Sequence, residues 1–121
     1  VDGNRTAIRH LKSIRACAVE MERALSRGHL KSLAPIFARE WKARKQLAPN
    51  ISTPQMDRLM RAAQKKGALA GKVCGAGGGG CVAFIVPPAK KQSVMEELTS
   101  KGGKVLPFRF VSRGLRCQAP A

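Results

Sequence analysis

A chain of 121 residues is long enough to bury one core but sits at the low end for a self-sufficient enzyme, and its 44% hydrophobic content excludes a wholly disordered protein. Lys and Arg number 23 against 7 Asp and Glu, a formal charge of +16 that favours anionic partners; their spread along the chain excludes a detachable basic tail. The longest apolar run, Cys81 to Val86, is too short to cross a bilayer, and the first residues lack a signal-peptide core, so no membrane partner is expected.

The chain opens on Val1 without an initiator Met, which predicts a piece of a longer polypeptide. From Asn4, Ile8, Leu11, Ile14, Ala18, Met21 and Leu25 recur at helical steps and predict one apolar face. Arg5, Arg9, Lys12, Arg23 and Arg27 lie opposite as a solvated face, and Gly28 is the expected stop. Leu30, Leu33, Phe37 and Trp41 predict a second helix with Pro35 in its first turn and Trp41 in the core. Ser52 or Thr53, Pro54 and Gln55 are start signals for a third, with Met56, Leu59, Met60 and Ala63 inward and Gly67 at its end.

After Gly71 the pattern changes. Lys72–Cys74 and Cys81–Val86 read as short strands on either side of six residues, Gly75 to Gly80, of which only Ala76 is not glycine. Ala89 to Lys101 reads as a helix with Val94, Met95 and Leu98 inward and Gly102-Gly103 as its stop. Leu106, Phe108 and Phe110 alternate with Pro107 and Arg109, which predicts an edge strand. Helices followed by strands give an α+β domain.

The four cysteines, Cys17, Cys74, Cys81 and Cys117, form no C-x-x-C pair and have no histidine at ligand spacing, since His10 and His29 are both expected in helices. No metal site is predicted, and the pattern suits a reducing, cytoplasmic interior. Cys74 and Cys81 would face each other across a hairpin.

The residues after the glycines narrow the chemistry. Gly75, Gly77 and Gly80 satisfy the dinucleotide spacing G-x-G-x-x-G, but that motif needs a helix next and here an apolar strand comes instead. A P-loop needs Lys and Ser or Thr where Cys81 and Val82 stand. With Val82 the spacing also fits the protein-kinase glycine loop, yet the chain has no V-A-I-K, H-R-D or D-F-G. A bare backbone that lies against a phosphate and one that lies against a second protein segment both remain open.

Lys72-Val73-Cys74-Gly75-Ala76-Gly77-Gly78-Gly79-Gly80 and the apolar strand after it resemble the third motif of the GHMP kinases. Trp41 to Leu47, Ile51-Ser52, Asp57 and Gly67 to Lys72 are similar to the branch that phosphorylates sugars and sugar phosphates, the heptose 7-phosphate kinases and their fucokinase-like relatives. The resemblance covers roughly Ile8 to Phe110. It implies that residues 1–121 are a GHMP kinase C-terminal domain, a ferredoxin-like two-layer sandwich with helices packed on a small antiparallel sheet.

It further implies that Gly75, Ala76, Gly77, Gly78, Gly79 and Gly80 support a nucleotide phosphate loop, with Lys42, Ser52 and Lys72 in the wall around a sugar-phosphate substrate. The catalytic residues, ATP and Mg would belong with an N-terminal domain not included in this chain, which alone would not catalyse. Cys81 stands where the family more often has a large apolar residue. Two other readings stand beside it. A free-standing basic module for nucleic acid is disfavoured by five aromatic side chains, no tyrosine and no base-reading motif. The other is a truncated, non-catalytic regulatory domain. Oligomeric state is open.

Overall fold

The computed structural model describes residues 2–75 and 77–120. Among them the chain runs as helix α1 (Asp2–Ser26), a single 3-10 turn, α2 (Leu33–Lys45), α3 (Pro54–Lys65), strands β1 (Ala70–Val73) and β2 (Val82–Ile85), a second 3-10 turn, and α4 (Lys91–Ser100). No helix among the described residues is long and apolar enough to cross a membrane.

The glycine stop signals act through one device. At the end of α3, Gly67 takes φ +110, which a side chain rarely adopts, and its N–H reaches Gln64 O while Ala68 N–H reaches Ala63 O. These paired bonds satisfy carbonyls that the helix end would leave orphaned. Gly28 and Gly102 close α1 and α4 with the same pair of bonds. At the start of α3 it is Thr53, not Ser52, whose hydroxyl accepts from Met56 N, with Pro54 in the first helical position.

Helix α1 packs on α2, α2 runs along β1, and α3 pairs with α4. Trp41, Met56, Met60 and Val73 form one buried cluster, closed by Ile51, Val82 and Phe84. Ala63, Ala68 and Val94 form another, and Phe84 joins the two. The strands pair antiparallel from Ala70↔Ile85 to Val73↔Val82. Gly71 lies opposite Phe84, and a Cβ there would meet the Phe84 ring at 2.8 Å, so the glycine makes room for the aromatic. The result is the expected α+β arrangement of helices on a small antiparallel sheet.

The structure revises several sequence expectations. The buried side of α1 is Cys17, Met21 and Ala24 against Ile36 and Leu33. Ile8, Leu11 and Leu25 of the expected stripe are 51%, 54% and 53% exposed. Two apolar stripes overlap on this helix, and α2 covers only the one made of smaller residues. Helix α2 begins at Leu33, leaving Leu30 exposed in the 3-10 turn, and His29 lies in the connection before that turn and not in a helix. The strands are Ala70–Val73 and Val82–Ile85, shorter or shifted relative to the expected spans.

The strand expected at Leu106, Phe108 and Phe110 is not formed, and the two phenylalanines are 79% and 92% exposed. Alternation fixes only an extended local shape. The Phe108 and Phe110 rings meet edge-on, with centroids 5.8 Å apart, as neighbours on one side of an extended segment do. A strand needs a partner edge, and Pro107 offers no donor to one.

An exposed ion pair spans α1 and α2, from Arg39 to both carboxylate oxygens of Glu20. The hydrogen bond from Arg39 holds the Glu20 carboxyl below its ordinary value of 4.5. A depressed folded value contributes stability that is present above the unfolded value and lost as pH falls. The expected result is that the Tm difference between the native chain and E20Q is present at neutral pH, shrinks below pH 4.5, and shrinks in high salt at every pH. Thermal melts across an acid titration at two salt concentrations would check it.

Candidate functional site

The hairpin loop between β1 and β2 is built almost entirely of backbone in conformations that side chains avoid. Gly75, Gly77, Gly78, Gly79 and Gly80 all have positive φ, between +75° and +147°. Ala76, the remaining member of the expected set, lies outside the described residues. The loop rests on the connection between α2 and α3. Gly78 N–H donates to Ile51 O at 2.9 Å, and a Cβ on Gly77 would stand 2.7 Å from that same oxygen. Asn50, beside it, takes φ +65. Around Gly75, Gly79 and Gly80 a Cβ would meet nothing within 4 Å. One side of the loop is therefore fitted to the protein, and the other is open backbone.

Ser52 comes directly after the residue that holds the loop, and its hydroxyl donates to Asp57 Oδ1 at 2.6 Å. Ser52 therefore lies next to the residue that carries the loop, with its hydroxyl turned to Asp57. Lys72 stands two residues before Cys74 on β1, but its ammonium turns onto helix α2, 3.1 Å from Glu40 Oε1 and 5.8 Å from the Phe37 ring centroid. Lys42 lies on the exposed side of α2. The sequence residues with an assigned role therefore separate into a loop group and two lysines on or against α2.

The sequence reading missed Glu40. It is 7% exposed, accepts from Arg44 Nε at 2.7 Å and from Arg44 Nη2, and also faces Lys72. Its second oxygen, Oε2, is buried with no hydrogen-bond partner among the described residues. The signal available in sequence was the i,i+4 spacing to Arg44, common on solvated helix faces. Nothing local tells that Lys72, 32 positions away, closes the cluster.

Among the described residues no group of three His, Cys, Asp or Glu side chains is placed to hold a metal ion. Two open concavities, of about 210 and 450 Å³, lie along α1. The smaller is lined by Arg23, Arg27, His29 and Ser32 among others, and the larger by Lys12, Arg15 and Arg23. Neither includes a residue of the glycine loop, and neither is enclosed. The loop's fit to Ile51 and its bare outer face single it out as the candidate site.

Known proteins match this sequence. Residues 21–104 match the family model described as GHMP kinases C terminal, a span that contains α2, α3, both strands, the glycine loop and α4. The chain is 31% identical over 114 residues to D-glycero-alpha-D-manno-heptose 7-phosphate kinase of Campylobacter jejuni, covering 94% of this chain and 34% of that protein. It is 37% identical over 71 residues to a mevalonate kinase of Thermococcus onnurineus, covering 59% of this chain and 21% of the relative. A mevalonate kinase of Methanocaldococcus jannaschii is 35% identical over 63 residues, covering 52% and 20%. The chain spans about a third or less of the length of these curated relatives. Because the matched span carries both the loop and the elements that support it, the chain belongs to the GHMP kinase C-terminal family.

Proposed function

We propose that this chain is the C-terminal part of an ATP-dependent sugar or sugar-phosphate kinase, with Gly75 to Gly80 lying beside the nucleotide phosphates and against a phosphate-binding loop of an N-terminal domain. The observation that carries this reading is the one-sided loop: Gly77 and Gly78 are seated on Ile51, while the backbone at Gly75, Gly79 and Gly80 is bare. A backbone without side chains lets amides approach a phosphate or another loop closely. Ser52 and Lys42 are assigned to the substrate wall. Lys72, held by Glu40, contributes to it as a fixed positive charge.

ATP and Mg belong to the assembled enzyme. The residues here fit a supporting role for the nucleotide, through the open backbone, and offer no cluster of carboxylates for the metal among those described. ATP with Mg supplies the transferable phosphoryl group and its charge neutralisation. Positioning, metal and charge stabilisation act together in that chemistry, so one wall is not expected to catalyse.

Combining this chain with the N-terminal portion of the Campylobacter jejuni relative should give ATP-dependent phosphorylation of a heptose 7-phosphate. Neither part alone should turn over. Hydrogen exchange should slow at Gly75 to Gly80 when the parts meet. Turnover by the isolated chain would refute this division of labour. DNA binding by the chain that persists at high salt would favour the polyanion reading instead.

A further inference from the structure

The strand register places two free thiols at the mouth of the glycine hairpin. Val73 pairs with Val82, and at the next step Cys74 N–H donates to Cys81 O at 2.8 Å. Residues directly opposite on antiparallel strands project to the same face. In a hydrogen-bonded pair their Cα atoms are about 5.5 Å apart, inside the range of roughly 4.4–6.8 Å that a disulfide spans. Both thiols are free and exposed, and neither belongs to a core cluster.

We propose that Cys74 and Cys81 are a reactive dithiol that oxidises to an intrachain disulfide and fixes the glycine loop. The oxidant is a small disulfide such as glutathione disulfide. The thiolate of one cysteine attacks it, forming a mixed disulfide and expelling one glutathione thiolate. The second cysteine's thiolate attacks the protein sulfur of that mixed disulfide and expels the other. Two protein S–H bonds and one S–S bond are lost, one protein S–S bond forms, and the two protons leave with two glutathione thiols. The protein loses two electrons and the glutathione pair gains them.

The geometry suits closure at this rung. The Cβ atoms of a hydrogen-bonded pair, about 5.5 Å apart, must draw together by roughly 1–2 Å, and this pair lies one step past the last ladder rung, Val73↔Val82, next to Gly75 and Gly80, which present no side chains to resist. The other cysteines are poor competitors. Cys17 is buried between α1 and α2, and burial pushes its thiol up, away from the reactive thiolate. Cys117 is exposed but lies in the C-terminal tail, outside the register. Any effect of the bond on nucleotide binding rests on the function proposed above, whereas the bond itself does not.

The test exploits the absence of Lys or Arg between Lys72 and Lys90, which puts both thiols on one tryptic peptide. The full chain, dilute, is incubated with glutathione disulfide in mildly alkaline buffer, alkylated with iodoacetamide and digested without reduction. The expected peptide of residues 73–90 is two hydrogens lighter, unalkylated at both cysteines, and returns to two alkylation sites after dithiothreitol. In C74S the same treatment should leave Cys81 carrying one glutathionyl group. Two separate glutathionyl groups on the native peptide, retained alkylation at both sites, or crosslinks only between chains or to Cys117 would each overturn the proposal. Loss of kinase turnover in the assembled enzyme is a separate readout, and its failure would bear on the loop's function alone.

Discussion

Replacing Glu40 with alanine is expected to lower the unfolding free energy by about 3 kcal/mol, the low end for breaking a buried ion pair, because the cations it leaves keep some access to water. The Glu40 side chain is 9% exposed, while the side chains of Lys72 and Arg44 keep 19% and 27%. Both cations would lose their counter-charge, and Lys72 would be left against the Phe37 ring. The charge network ties β1 to α2 just before the glycine loop, so the loss should be felt as loosening of that strand as well as in the midpoint. Urea titrations of E40A, K72M and the double variant would check it, with a coupling of about 1–2 kcal/mol between the two positions. Strictly additive losses would mean that the pair contributes nothing. The unpartnered Oε2 marks the opposing cost, since a buried acceptor without a donor is unfavourable by about 1–3 kcal/mol.

The second large effect is expected at Gly77. An alanine there would have to hold φ +91 and place its Cβ 2.7 Å from Ile51 O and 3.0 Å from Ile51 Cα, contacts with backbone that cannot rotate away. The loop should lift from the α2–α3 connection at a cost of about 2–3 kcal/mol, combining the left-handed backbone penalty with the displacement. Gly80 is the control. It has φ +98 but open space around its Cβ, so G80A should cost only about 1–2 kcal/mol. On the function proposed above, displacement of this loop by an ångström predicts a fall of about 100-fold in kcat/KM for G77A in the assembled enzyme. Denaturation midpoints, with hydrogen exchange at Gly78, would separate the two variants. Equal effects from both would show that the Ile51 contact is without weight.

The helices were legible because their signals are local. Thr53-Pro54 and the glycines at 28, 67 and 102 act through bonds to residues a few positions away, and each ends or starts a helix as expected. The glycine hairpin was legible for the same reason, as a run bounded by apolar strands. Where the signal was ambiguous, the outcome depended on partners. Two apolar stripes on α1 were equally helical in spacing, and only the bulk of α2 decided which was covered. Leu106, Phe108 and Phe110 have a strand's alternation but no paired edge.

For the site, the residue types and their order marked the loop and its family. Spacing alone could not show that Ile51 would carry it, because that contact joins segments whose separation in sequence is set by a whole helix and strand. Nor could it show that Glu40 would draw Lys72 inward, since an acid on a helix face reads as solvated until something covers it. The sequence by itself determined the glycine stops of the helices, the cap of α3, the glycine-rich hairpin and the kinase family, all properties of neighbouring residues and their order. Tertiary structure decided which faces were buried and which charge went inside. Those depend on register and packing, which exist only once distant segments meet.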